Sequence, residues 1–205
     1  MAVLALVLFA VWAFQGYAVR GLVHWRRTGD AGFRVRPDGW WAALLALGGL
    51  ANAVVAPIAA LAGLPPIGPL DRPFLAVAGV ALAGAGIVGT FVTQFAMGDS
   101  WRIGLDETER TTLVTGGPFG VTRNPIYSSM VVFAAGLALM VPNPVAVAGL
   151  AAAVLGVELQ VRLAEEPYLR RVHGAAYERY AERVGRFVPG LGRLRFGAPA
   201  GSDHA

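Results

Sequence analysis

Long apolar stretches that carry no charge constrain this chain more than any other feature. A helix needs about 20 mainly apolar residues to cross roughly 30 Å of hydrocarbon. Residues 1–19 form one such run, with no charge before Arg20. Residues 39–64 form a second, opened by Trp40 and Trp41 as an interfacial aromatic anchor. Residues 74–97 form a third, and residues 126–163 a longer stretch broken by Val141-Pro142-Asn143-Pro144. Two prolines around an asparagine cannot continue a helix cleanly, so this stretch reads as a helical hairpin. Its arms are short, which allows a tilted or partly re-entrant pair. The pattern predicts an all-α fold: an integral membrane bundle of about five transmembrane helices. Composition agrees, with 56% hydrophobic and only 15% charged residues where soluble domains are about a quarter charged. The first run has no basic residues ahead of it, so it is expected to remain as an anchor and not to act as a signal peptide.

The placement of arginine gives an orientation. All 17 basic residues are Arg, and the net charge is +4. That charge lies between apolar runs and points to a membrane partner, not to nucleic acid. Arg20, Arg26, Arg27, Arg34 and Arg36 follow the first run; Arg102, Arg110 and Arg123 precede the hairpin; eight more lie from Arg162 onward. The segment around residues 65–72 has one Arg balanced by Asp71, and the Pro142 turn has none. Cytoplasmic loops are enriched in Arg, so five alternating crossings put the N-terminus outside and the C-terminus in the cytosol. A multi-pass protein of the cell's inner or plasma membrane is expected. Residues 1–96 would carry the N-terminal helices and residues 97–205 the hairpin and C-terminal region, in one integrated membrane domain. The tail, residues 165–197, is a charged amphipathic helix candidate, and residues 198–205 an expected frayed end.

Two expected cytosolic segments hold most of the reactive side chains. In the first, Gly116, Gly117, Pro118 and Gly120 force an irregular turn with backbone N–H groups open to a ligand. Arg123-Asn124-Pro125 then enters the hairpin, with Arg123 able to snorkel to lipid phosphate. In the second, Glu158, Arg162 and Glu165 recur at i, i+4 and i+7 and so are expected on one helix face. The adjacent acids Glu165 and Glu166 require a cation, an amine or hydroxyl donors. No cysteine is present, which excludes disulfides, thiolate metal sites and a cysteine nucleophile. His24, His173 and His204 have no metal-ligand spacing, and there is no phosphate-binding glycine loop. Such an enzyme would act by positioning and desolvation, with a cofactor supplying the reactive group.

Gly117-Pro118-Phe119, then Arg123-Asn124-Pro125-Ile126-Tyr127, a hydrophobic hairpin, Glu165-Glu166, Gly174-x-x-Tyr177-x-x-Tyr180 and Arg186-Phe187-Val188-Pro189 occur in this order. Over residues 97–192 the chain resembles the isoprenylcysteine carboxyl methyltransferase superfamily, which includes phospholipid methyltransferases. The resemblance implies S-adenosyl-L-methionine as methyl donor, bound at the cytosolic face. It implies that Thr112, Leu113 and Val114 line the cofactor through their backbone and that Phe119 stands where the family has a cofactor-facing aromatic. Asn124, Pro125 and Tyr127 take the family's His-Pro-x-Tyr positions, Asn replacing a titratable His. Glu165, with Glu166 beside it, matches the acid that holds the cofactor's ammonium or hydroxyls. The family's acceptor-orienting Arg falls on Val161 here, with Arg162 one residue later, about 100° around a helix. Arg162 and Arg123 are the catalytic candidates. The expected acceptor is a lipid-like or small apolar molecule methylated on a carboxylate, thiol or amine. Two other readings stay open: a membrane sterol- or steroid-type reductase using NADPH, and a non-catalytic membrane scaffold.

Overall fold

The computed structural model describes residues 1–32, 39–101 and 112–196. Arg34, Arg36, Arg102, Arg110 and residues 198–205 lie outside the described residues. Six helices organise the rest: α1 (Ala2–Thr28), α2 (Trp40–Leu61), α3 (Pro73–Ala96), α4 (Pro125–Met140), α5 (Pro144–His173) and α6 (Ala175–Arg183). Among the described residues the only β-type pairing is an isolated bridge between Thr122 and Gly185.

Four of these helices, α1, α2, α3 and α5, are long and apolar enough to cross a membrane. Where five crossings were expected, the fifth apolar helix, α4, has 16 residues. At 1.5 Å per residue it is about 24 Å long, short of the roughly 30 Å of hydrocarbon. Both its ends are set by the chain around it. Asn124 donates its backbone N–H to the Arg186 carbonyl at 3.0 Å immediately before Pro125. At the other end, Asn143 accepts from Ala146 N–H at 2.9 Å to cap α5, and its Nδ2 donates to the Ala56 carbonyl of α2 at 2.9 Å.

The expected end of the first helix at Arg20 also moves. The apolar run stops at Val19, but α1 continues to Thr28 and ends at Gly29, whose φ of 78° suits a left-handed cap. Arg20 is buried because its guanidinium has partners: it donates to the Gly98 carbonyl at 2.6 Å and lies 4.5 Å from the Trp101 ring. Higher up, Trp12 donates to Thr90 Oγ1 at 3.2 Å and stacks on Phe133 with ring centroids 5.3 Å apart. These contacts run parallel along α1 and α3.

Small residues make the two closest interfaces. In the antiparallel α3–α4 pair, a Cβ on Gly86 would lie 2.6 Å from Phe133 Cα, and one on Gly136 would lie 2.5 Å from Ala83 N. In the antiparallel α2–α5 pair, a Cβ on Gly48 would lie 2.5 Å from Ala153 N, and one on Gly156 the same distance from Leu45 N. Backbone-to-backbone approach of this kind drives helix association where lipid offers no hydrophobic gain. The C-terminal ends of α1, α3 and α5 and the N-terminal ends of α2 and α4 therefore gather at one end of the bundle.

Gly86→Ala is expected to lower the unfolding free energy by about 1–3 kcal/mol, because the methyl meets backbone that cannot rotate away. A Cβ on Gly84 has nothing within 4 Å, so Gly84→Ala should leave stability within about 1 kcal/mol of the parent. Thermal unfolding of both variants in the same detergent checks the contrast.

Candidate functional site

A cavity of about 620 Å³ runs from this gathered end into the bundle. Of the expected site residues, Thr112, Leu113, Val114, Phe119, Arg123, Asn124, Pro125, Tyr127, Glu165 and Glu166 all line it. Arg162 does not: it borders a separate groove with Arg170 and Phe196 and pairs with Glu158. The reason is a change of helix type. The turn Val161–Glu165 is π-helical, so Glu158 and Arg162 keep their i, i+4 pairing while Glu165, expected at i+7, leaves that face. Gln160 and Glu165, five residues apart, would be about 140° apart on an α-helix. One π turn brings both to the cavity and leaves Arg162 facing out.

The two adjacent acids part company. Glu165 Oε1 accepts from the Tyr127 hydroxyl at 2.5 Å. Glu166 instead accepts from Arg123 NH2 at 2.7 Å on Oε1, and from Arg186 Nε at 2.7 Å on Oε1 and Arg186 NH2 at 2.8 Å on Oε2. Arg123 also donates to the carbonyls of Ala181 at 3.0 Å and Val184 at 2.5 Å, at the C-terminal end of α6. A cation there complements the helix dipole. The expectation that Arg123 snorkels to phosphate is therefore corrected: its side chain is 2% exposed and held by protein groups. The hydrogen bond to Glu166 raises the Arg186 pKa, against the opposing effect of burial.

The tail departs from one charged helix. Gly174, at φ 50°, separates α5 from α6, and residues 184–196 fold back so that Arg123 N–H donates to the Gly185 carbonyl at 2.8 Å. Tyr177, Tyr180 and Ala181 are buried against Leu113, Leu169 and Leu194. This tyrosine face closes the cavity instead of lying bare on lipid. Tyr180 donates to the Phe119 carbonyl at 2.6 Å, fixing the glycine-rich turn to α6. Burial pushes the Tyr177 hydroxyl pKa well up and that of Tyr180 to about 12.

Residues 74–176, half of the chain, match the family model described as phospholipid methyltransferase. The chain belongs to the phospholipid methyltransferase family. It is similar to protein-S-isoprenylcysteine O-methyltransferase B of Arabidopsis thaliana, 33% identical over 81 residues, which are 40% of this chain and 41% of that protein. The match thus spans about two fifths of that relative's length. Four helices long and apolar enough to cross a membrane agree with an integral membrane protein of that family. The family match ends at residue 176, before Arg186. Arg186 received no role from the sequence, although it stands in the Arg-Phe-Val-Pro run. Gln160 belongs to the same polar segment as Glu158 and Glu165 in the sequence but received no role there, since only the π turn aligns it with Glu165.

Two expectations follow. Glu166→Gln leaves two buried guanidinium groups short of a carboxylate and should cost about 3–5 kcal/mol, whereas Glu165→Gln should change thermal stability little; parallel melting curves distinguish them. The Tyr180 hydroxyl has its pKa raised from 10.0 to about 12. Its hydrogen bond therefore contributes fully below pH 10 and is lost as pH rises through about 12. Melting temperature should fall across that window, and Tyr180→Phe should flatten the fall.

Proposed function

We propose that the chain is an S-adenosyl-L-methionine-dependent methyltransferase acting on a lipid-like or small apolar acceptor, with its active site at the cytosolic face. The observation that carries this reading is the Glu165–Tyr127 pair at one end of a cavity that is otherwise mainly apolar. The donor set fits the cofactor. A carboxylate can receive its ammonium or ribose hydroxyls, and Thr112, Leu113, Val114 and Phe119 line the same space. A cavity of about 620 Å³ also falls in the usual range for small-molecule sites.

When bound, the cofactor supplies an activated methyl on a sulfonium, whose positive charge disperses as transfer proceeds. The residues then have to align and exclude water, more than to shuttle protons. Glu165, oriented by Tyr127, anchors the polar end; Thr112, Leu113, Val114, Phe119, Asn124 and Pro125 form the wall. Asn124 donates from Nδ2 to the Arg186 carbonyl at 3.2 Å, a positioning role that needs no titration. Glu166 and Arg123 act as positioning residues that join α4, α5 and the C-terminal fold. Arg162 lies outside the cavity and is given no part in transfer.

An acceptor can enter between helices from lipid, while the charged cofactor arrives from the cytosol. The arginine distribution supports the N-terminus outside and the C-terminus and site inside. The relative named for isoprenylcysteine O-methylation favours a lipid-like acceptor, whose methylated atom is a carboxylate, thiol or amine.

Calorimetric titration of the detergent-purified protein with S-adenosylhomocysteine, with NADPH as control, tests the cofactor. Micromolar binding of the first alone is expected; binding of NADPH alone overturns the reading. Glu165→Ala should weaken the S-adenosylhomocysteine affinity by tenfold or more, about 1.4 kcal/mol, with unchanged melting, and Arg162→Ala should leave affinity and turnover near the parent values.

A further inference from the structure

Asn52 lies near the middle of α2, in the π-helical turn Ala51–Val55, and is 1% exposed. Its Nδ2 donates to the Ala146 carbonyl of α5 at 3.0 Å. Because a carbonyl can only accept, that bond fixes which end of the carboxamide faces α5. The opposite end, Oδ1, is buried with no hydrogen-bond partner. Asn143, about one helical turn away along the same interface, has both ends used: Nδ2 on Ala56 O and Oδ1 on Ala146 N. Capping of α5 and a bond to α2 therefore use both ends of Asn143, whereas bonding to α5 uses only one end of Asn52. A polar group at membrane depth is costly and marks function when packing does not explain it.

Asn52 lines the deep end of the cavity, in the company of Phe9, Trp12, Leu137 and Leu150. A Cβ on Gly149 would lie 2.6 Å from Asn52 N, which places Asn52 level with Ala146 and Gly149 of α5. Gln160 is 11 residues beyond Gly149, so Asn52 sits about 17 Å along α5 from the level of Gln160, and Glu165 lies one π turn farther still. Gln94 and Gln160 also have unpartnered amide oxygens and line the cavity, but near the end where polar ligand groups gather. Asn52 stands apart from that end, level with Ala146 and Gly149 of α5.

We infer that Asn52 is a specificity-determining residue that accepts a hydrogen bond from a hydroxyl or N–H carried on the apolar body of the methyl acceptor, about 17 Å along α5 from the level of Gln160. The acceptor class is thus a long apolar molecule with a second, internal hydrogen-bond donor. This rests on the methyltransferase reading of the cavity.

The test compares two long-chain alkyl amines with the same head group, one saturated and one with a mid-chain secondary hydroxyl, titrated into the full-length protein with S-adenosylhomocysteine present and absent. The wild type should bind the hydroxylated amine about tenfold more tightly, the worth of one buried hydrogen bond. Asn52→Leu should bind both alike while keeping the wild-type S-adenosylhomocysteine affinity. Equal binding of the two amines by the wild type overturns the inference, and so does a preference that survives in Asn52→Leu. Should the leucine variant fail to fold, the wild-type comparison decides alone. A hydroxyl preference in a protein that does not bind S-adenosylhomocysteine would sink the methyltransferase reading and leave the Asn52 assignment standing.

Discussion

The carboxylate of Glu166, gripped by Arg123 and Arg186, is the interaction on which the rest of this architecture depends. Each partner belongs to a different stretch of chain: the entry to α4, the lower part of α5, and the segment after α6. The tie fixes the C-terminal segment in register, so that its Val184, Leu194 and Phe196 pack against the tyrosine face over the cavity. Two guanidinium groups on one acid would repel in isolation. Here the Ala181, Val184 and Gly192 carbonyls take up the donors of Arg123, so the cluster works as a charge-assisted hydrogen-bond network more than as a simple ion pair.

Much of the bundle was legible from residue order. The apolar runs mark the helices within three residues at α2 and one at α3, and the Pro142-Asn143-Pro144 turn falls where two prolines demand it. The far end of α1 was not legible. An arginine at the end of an apolar run reads as a membrane boundary, and only the Gly98 carbonyl and Trp101 ring, more than 70 residues away, make it a buried group. The short α4, by contrast, was legible: Pro125 in its first turn and the break at Val141-Pro142 bound it, and the bonds to the Gly185 and Arg186 carbonyls hold that start in place.

At the site, residue types and spacing selected the right segments but not the right partners. Assuming 3.6 residues per turn put Arg162 on the face of Glu165. A single π turn, invisible to pattern reading, exchanged it for Gln160. π-helical turns also occur at residues 14–19 and 51–55, and each contributes residues to the same cavity: Gly16 and Tyr17 from the first, Asn52 and Ala53 from the second. Three helices widen where they meet this space, the pattern expected when a helix is locally re-aimed for function.

The glycine contacts described for α3–α4 and α2–α5 have a mechanical consequence. Each pair touches backbone to backbone, so neither can part internally without losing its contact, and each moves as one stiff plate. The cavity lies between the plates, which are joined at the far end by the Asn143 turn and at the Glu165 end by the Tyr127–Glu165 and Arg123–Glu166 bonds. A bulky guest therefore meets a frame pinned at both ends: the side-chain bonds at the Glu165 end must open before the two plates can rotate apart about the turn.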